Sequence, residues 1–188
     1  MYAEENGYTV TQRPEKTLRS IRRKLRETTI RLGDMDDMVG CRITTEDRIA
    51  QDSLADGLAE IYPALRWKDR RESPSAGYRA LHGILRETGC PFEIQIRTGL
   101  QDKWANLSES LADHHRDHSI KYGQGPENIR RFLSDLSDAI DAFEEFEMSR
   151  QMEEVQRNDD ADLTAIPDVL GHRALILALL TSAEGLFR

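Results

Sequence analysis

Two acidic side chains, Asp37 and Glu93, stand at the start of segments that are typical of neighbouring strands. Paired carboxylates at strand ends commonly hold Mg²⁺, a hard cation that prefers oxygen ligands and is usually shared with substrate phosphates. Basic side chains would then hold the remaining phosphate oxygens. The pattern predicts a site for phosphoryl or pyrophosphoryl transfer, where catalysis is mostly positioning and charge neutralisation. The alternative is that Asp37, with Asp34 and Asp36, only caps or solubilises a turn.

The strand that carries Glu93 alternates strictly between apolar and polar residues. Side chains alternate across a strand with a period of two, so Glu93, Gln95 and Arg97 share one face. The other face receives the apolar residues Phe92, Ile94 and Ile96. Either the polar face belongs to a site, or this is an ordinary half-buried strand whose polar side is wet.

Basic residues are concentrated near the N-terminus. Residues 11–31 hold eight basic residues against two acidic ones, a local charge of +6. Apolar residues at 18, 21 and 25 predict a helix in which Leu18, Ile21 and Leu25 face inward. So many cations with few carboxylate partners repel one another unless an anion visits. A phosphate-rich ligand would relieve this repulsion.

The remaining periodicities predict the elements that position these residues. We expect residues 1–11 to be loose and residues 68–71, with Lys68, Arg70 and Arg71, to form a basic loop. A strand after Asp37, a strand at 80–85 and the strand of Glu93 make a small sheet. Helices are predicted at 47–61, 100–112, 128–155 and 169–187, the third with Phe132 and Phe146 on its core stripe. The fold class is therefore α+β (mixed α/β), a small mixed sheet flanked by helices.

Composition bounds the class of protein. The 188 residues suit one domain, with a core at 1–125 and a C-terminal helical extension at 126–188. Residues 126–163 hold four basic residues against twelve acidic ones, and the net charge of −8 argues against DNA as a partner. The longest apolar stretch, 174–180, is too short for a bilayer, and no signal peptide is evident, so we expect a cytoplasmic protein. Cys41 and Cys90 are expected to be buried thiols.

Four ordered segments, RSIRRKLRE, DMVGCRI, GYRALH and EIQIRT, resemble the synthetase domain of the RelA/SpoT family, the alarmone (ppGpp) synthetases. The resemblance runs from about Arg13 to Tyr122. It implies a nucleotidyltransferase-like fold. It also implies transfer of the β,γ-pyrophosphate of ATP to the 3′-hydroxyl of GDP or GTP, with release of AMP and with Mg²⁺ as cofactor.

The resemblance also implies roles for individual residues. Asp37 matches the family's metal-binding aspartate, and Glu93 matches a second acid that shares the metal and helps to deprotonate the attacking hydroxyl. Arg42 matches an arginine that stacks on adenine, with Arg13 on the other side. The expected ATP-binding residues are Arg13, Lys16, Lys24, Arg26 and Arg42. The expected acceptor-binding residues are Tyr78, which stacks on the purine, His82, Lys68, Arg71, Gln95 and Arg97.

One departure from the family bears on the acceptor. Ala76 precedes Gly77 where the family usually has asparagine, so ADP or ATP is an alternative to GDP or GTP as acceptor. The same residues also suit a toxin that modifies the 3′ end of tRNA, or a nucleotide sensor without catalysis. The short N-terminus resembles toxic family members found beside antitoxin genes. The C-terminal helix either packs on the domain or docks an antitoxin or a second subunit.

Overall fold

A five-stranded mixed sheet forms the centre of the fold in the computed structural model, which describes residues 2–13, 18–27, 29–86, 91–157 and 167–185. The strand order is β1-β2-β5-β4-β3, and only the β2–β5 pair is parallel among the described strands. The strands are β1 Thr9–Arg13, β2 Val39–Thr45, β3 Arg66–Asp69, β4 Leu81–Leu85 and β5 Phe92–Thr98. The predicted α+β class is confirmed.

Helices flank this sheet on one face and at one end. They are α1 Tyr2–Glu5, α2 Leu18–Glu27, α3 Arg48–Ile61, α4 Gly99–His114, α5 Glu127–Arg157 and α6 Pro167–Gly185. Short 3-10 helices lie at Leu32–Asp34 and His118–Tyr122. Within the described ranges, no helix combines the length and apolarity needed to cross a lipid bilayer.

Helix α3 covers the apolar face of the sheet. It begins after Asp47, whose side chain accepts a hydrogen bond from the Ala50 amide at 2.8 Å and so satisfies one of the donors left over at a helix start. Its apolar stripe packs on the inward side chains of the central strands. This core contains Ile43, Leu54, Leu58, Leu81, Ile94 and Ile96. The opposite face of the sheet is therefore the one available for chemistry.

The second core joins α4 to the two C-terminal helices. Leu107 of α4, Leu133 of α5 and Leu180 of α6 are all buried in it. At the start of α4, Thr98 makes a reciprocal capping box with Gln101. The Thr98 hydroxyl also donates to Glu144 of α5, a buried carboxylate. The helical extension is thus attached directly to the end of β5.

Two segments that were predicted to lack regular structure form the edge strands of the sheet. Residues 1–11 were expected to be loose, yet Thr9–Arg13 pairs with β2; residues 68–71 were expected to be a loop, yet Arg66–Asp69 pairs with β4. Neither segment has the alternation of a half-buried strand: β1 has one apolar residue, Val10, and β3 has one, Trp67. Such edges are held mainly by backbone hydrogen bonds to a neighbour that lies far away in sequence.

Three predicted core residues are also wrong. Leu18, at the first position of α2, is 72% exposed, and among the side chains of that helix that the structure describes only Ile21 is buried. Phe132 and Phe146 are 49% and 56% exposed on α5. A helix of 31 residues presents a continuous stripe to a small domain only where a neighbour faces it, so the outer members of the stripe reach solvent.

Candidate active site

The polar face of the sheet carries a row of aligned side chains. The Cα pairing places Arg42 of β2 beside Gln95 of β5, Gln95 beside His82 of β4, and His82 beside Lys68 of β3. Residues in register on neighbouring strands point to the same face, so these four share it. Glu93 lies two residues from Gln95 and extends the row.

The polar residues of β5 are buried. Glu93, Gln95 and Arg97 are only 5%, 6% and 5% exposed. Gln95 Nε2 donates to Glu93 Oε2 at 2.9 Å, and Arg97 Nη2 donates to Gln95 Oε1 at 3.3 Å. A wet polar side of an ordinary strand does not have this arrangement. Burying polar and charged groups is costly unless they are paired, so the row is a fixed network.

His82 joins this row to the turn before β4. Its Nδ1 lies 2.9 Å from Glu93 Oε1, and its Nε2 lies 3.1 Å from the Tyr78 hydroxyl. Arg97 donates to the same hydroxyl from Nε at 3.2 Å and from Nη2 at 3.1 Å. Because arginine can only donate, the Tyr78 proton is left to point at His82 Nε2. A neutral His82 then carries its proton on Nδ1 and donates it to Glu93.

A tight turn places Tyr78 in this network. Ser75 and Tyr78 exchange backbone hydrogen bonds of 3.2 and 3.0 Å, and the two residues between them, Ala76 and Gly77, have φ values of 55° and 84°. Two positive φ values are the mark of a type I′ turn, for which Asn-Gly is a strongly preferred pair. A Cβ on Gly77 would lie 2.8 Å from the Trp104 ring, so glycine is required there for space as well as conformation.

The backbone conformation at Ala76 explains why asparagine is usual at this place. Non-glycine residues avoid this left-handed region, and asparagine is the residue that enters it most readily after glycine. The asparagine that the family usually has at this place suits the turn whatever the acceptor is. Its absence is thus weaker grounds for an adenine acceptor than the sequence suggests.

Asp37 lies just before β2 on the same side of the molecule as α2. The strand begins at Val39, two residues after Asp37, and its register with β5 continues without a bulge at Gly40. A Cβ on Gly40 would overlap the carbonyl group of Glu93, so this glycine permits close approach of the two strands. Lys24 of α2 donates from Nζ to Asp37 Oδ1 at 2.9 Å.

The donor set of Asp37 and Glu93 fits a magnesium ion shared with a substrate. Asp37 lies two residues before β2 and Glu93 is the second residue of the parallel neighbour β5, and Lys24 and His82 contact these two carboxylates. Within the described part of the chain, no group of three or more His, Cys, Asp or Glu residues is arranged to hold a metal. Mg²⁺ suits such a site because it takes one or two carboxylates and completes its shell with water and phosphate oxygens.

Arg42 is held at one end only. Its Nη1 lies 3.3 Å from Asp102 Oδ1 of α4, while its Nε is buried without a hydrogen-bond partner among the described residues. Burial lowers the pKa of the Arg42 guanidinium, and the nearby charge of Arg97 lowers it further. A half-buried guanidinium with an unused donor is prepared to accept a planar or anionic ligand.

The other predicted residues are divided between this face and elsewhere. Lys68 on β3 and Arg26 on α2 are exposed. Arg13 ends β1 opposite Gly40, its side chain lies outside what the structure describes, and Lys16 lies outside the described residues. Arg71 is not brought to the site. It binds Asp69 at 2.7 Å and Asp52 of α3 at 2.7 Å, and these carboxylates raise its pKa although burial opposes them.

The sequence interpretation missed Asp102 altogether. Its carboxylate accepts from Arg97 Nη1 at 3.0 Å through the same oxygen that faces Arg42. The available signal was an acidic residue in the first turn of a helix, five residues after Arg97. That position is common for reasons of helix electrostatics alone, so it did not point to a site.

Comparison with known proteins places this site in a family. Residues 13–122 match the sequence profile described as "Region found in RelA / SpoT proteins". An uncharacterized protein of Mycobacterium tuberculosis is 39% identical over 106 residues, which is 53% of this chain and 37% of that protein. The chain therefore spans little more than a third of the length of that curated relative.

Solved structures agree with this assignment. Small alarmone synthetase 1 from Bacillus subtilis, bound to its product pppGpp, is 25% identical with a TM-score of 0.63, covering 82% of this chain and 86% of that one. The same enzyme bound to AMPCPP is 27% identical with a TM-score of 0.54, covering 83% and 84%. The site face described above lies within the matched region.

Proposed function

Because the chain belongs to the RelA/SpoT family, we propose that it is a pyrophosphotransferase that moves the β,γ-pyrophosphate of ATP to the 3′-hydroxyl of a purine nucleotide. The observation that carries the proposal is the buried network of Glu93, Gln95, Arg97, His82 and Tyr78 on the open face of the sheet. A buried polar network is costly unless its members are paired, and clustered titratable groups of this kind are typical of functional sites. A B. subtilis relative bound to pppGpp supports the same substrate class.

In the proposed reaction the acceptor's 3′-oxygen attacks the β-phosphorus of ATP. The bond from that phosphorus to the oxygen bridging the α- and β-phosphates breaks, and AMP leaves with the bonding electrons. The hydroxyl proton passes to Glu93. His82 and Gln95 each hold one oxygen of this carboxylate, which orients it toward the acceptor. A bound Mg²⁺ would supply charge neutralisation at the transferring phosphates.

The two nucleotides are assigned to opposite sides of β5. We assign ATP to the side of Arg42 and α2, where Lys24 and Arg26 supply positive charge. Arg13 and Lys16 keep their expected role in binding ATP from the family resemblance alone. We assign the acceptor to the side of Tyr78 and His82, with Lys68 near its phosphates. Arg71 is left out of the proposal because its guanidinium is already bound by Asp69 and Asp52.

The acceptor proposed is GDP or GTP. The type I′ turn gives the family's asparagine a conformational explanation, so its replacement by Ala76 does not by itself favour adenine over guanine. Transfer to ADP, ATP or the 3′ end of tRNA, and a sensor without catalysis, are outcomes that the following experiment separates.

The test incubates the protein with γ-³²P-labelled ATP, Mg²⁺ and one acceptor at a time: GDP, GTP, ADP, ATP or deacylated tRNA. We expect label on GDP or GTP with formation of AMP. Glu93→Gln should lower the rate by at least about 100-fold, because a positioned general base contributes about 10²- to 10⁴-fold. The matched control is Glu60→Gln on the exposed surface of α3, which should keep the wild-type rate.

Each result bears on the proposal. Label on tRNA alone would replace the nucleotide acceptor with a nucleic acid, and no label on any acceptor would leave a binding protein. A folded Glu93→Gln variant with the wild-type rate would remove Glu93 from the role of base.

A further inference from the structure

Asp102 is the single described carboxylate that contacts both Arg42 and Arg97. Its Oδ1 lies 3.0 Å from Arg97 Nη1 and 3.3 Å from Arg42 Nη1. Its Oδ2 accepts from Asn106 Nδ2 at 3.1 Å, one turn further along α4, which fixes the plane of the carboxylate. The side chain is about one-fifth exposed, so water screens these contacts only in part.

The two guanidiniums would repel each other without this carboxylate. Arg97 is buried, and it also donates to the Tyr78 hydroxyl and to Gln95. Burial opposes the charged form of Arg97, but Tyr78 and Asp102 raise its pKa; burial lowers the pKa of Arg42, and the charge of Arg97 lowers it further. Two like charges at this distance from one carboxylate are stable only while that carboxylate is ionised.

The two arginines face different parts of the site. Arg42 holds an unused Nε and lies on β2, toward the proposed ATP side. Arg97 places its guanidinium 4.9 Å from the centre of the Tyr78 ring and donates twice to the Tyr78 hydroxyl, on the acceptor side. Asp102 therefore contacts one residue on the proposed side of each nucleotide, Arg42 and Arg97, and is not itself assigned to contact a nucleotide.

We propose that Asp102 is a positioning residue that holds Arg42 for the donor nucleotide and, through Arg97, holds Tyr78 for the acceptor. The inference rests on the proposed function, since it assigns the two sides of the network to two nucleotides. It goes beyond that function by coupling the two sides through one side chain of α4. Loss of the Asp102 charge should weaken both nucleotides together.

The test measures binding by calorimetry in the presence of Mg²⁺. One titrant is an ATP analogue with a methylene group in place of the oxygen bridging the α- and β-phosphates; the other is GDP. Asp102→Asn keeps the size of the side chain and removes its charge. We expect the affinity for each nucleotide to fall about tenfold or more, as for loss of a charge-assisted contact. Asp113→Asn, an exposed position on the same helix, is the control and should bind like the wild type.

A double-mutant cycle separates positioning from a general loss of structure. If Asp102 acts on ATP through Arg42, then Asp102→Asn added to Arg42→Ala should change affinity for the ATP analogue less than twofold. The melting temperature of each variant shows whether it is folded.

The outcomes are distinguishable. If the wild type binds both nucleotides and Asp102→Asn binds both equally well, or loses only one of them, the proposed coupling is overturned while the proposed function stands. If the wild type binds neither nucleotide, the proposed function itself is overturned and the inference with it. An undiminished effect of Asp102→Asn in the Arg42→Ala background also overturns the inference.

Discussion

Replacing Ala76 with asparagine should stabilise the protein. Ala76 sits at φ 55°, in the left-handed region, where an L-residue with a Cβ has about 1–2 kcal/mol of steric strain. Asparagine relieves part of this strain because it adopts the region readily, especially before glycine in a type I′ turn. The side chain of Ala76 is exposed, so the amide has access to solvent.

The expected gain is about 0.5–1 kcal/mol in the free energy of unfolding. The gain cannot exceed the steric strain that is relieved, and the entropy cost of ordering the longer asparagine side chain reduces it. One neighbour constrains the new side chain: a Cβ on Gly123 would lie 2.8 Å from the Ala76 Cβ, so the two turns are close. For a chain of this length a gain of that size raises the melting temperature by about 1–4 °C.

Calorimetric melting of the two proteins checks the value. Ala139, exposed in the middle of α5, is the control position. There the same change to asparagine should destabilise by about 0.5 kcal/mol, because asparagine is a poor helix former. A melting temperature for Ala76→Asn below that of the wild type would refute the conformational explanation of this position.

The same variant tests the link between turn and acceptor. If the asparagine of related proteins serves mainly the backbone, Ala76→Asn should leave the preference between GDP and ADP unchanged while the protein becomes more stable. A shift of preference toward guanine by tenfold or more would instead assign the amide to base recognition.

Two further predictions concern charges near the site. Lys24→Met should raise KM for ATP by about tenfold, because we expect Lys24 to leave Asp37 and contact the triphosphate. The free energy of unfolding should change by less than about 1 kcal/mol, because the Lys24–Asp37 pair is partly exposed. Arg22→Met, exposed on the same helix, is the control, and an unchanged KM in Lys24→Met would contradict the role of Lys24. Asp69→Asn should destabilise at pH 7 by about 1 kcal/mol, discounted for its partial exposure, but not at about pH 2. Burial opposes the shift, but the bonds from Arg71 lower the pKa of Asp69 in the folded protein, so its stabilisation is present above the ordinary carboxyl pKa and is lost as pH falls through the folded value. Urea unfolding at several pH values measures this, and a difference between the two proteins that stays constant with pH would contradict it.

The sequence was sufficient wherever a residue's own neighbours determine its surroundings. The alternation in β5 predicted which of its residues share the site face, because strand geometry alone fixes this. Helix α3 was predicted to within a residue, since its apolar stripe is a local signal. Whether the polar face of β5 faces solvent or belongs to a site depended on the burial of its side chains, which the sequence of that strand alone does not give.

Residues whose role depends on distant partners were not predictable. Strands β1 and β3 exist because β2 and β4 offer backbone groups, and their own side chains carry little pattern. Arg71 was grouped with Lys68 because both are basic and close in sequence, but the chain leaves β3 between them and delivers Arg71 to α3. Asp102 matters because Arg42 and Arg97, from different strands, meet at it.

The hydrogen bond from Thr98 to Glu144 indicates that the sheet and α4 depend on α5 for their structure. The region shared with the family ends at residue 122, before α5 begins, yet the residue that starts α4 directly after the site strand is fastened to that helix. Gln101 also donates to Glu144, at 3.0 Å. A fragment ending at residue 125 would expose these polar groups and loosen the start of α4, where Asp102 is carried. Transplanting the sheet with its candidate site into another protein would therefore require the long acidic helix to go with it.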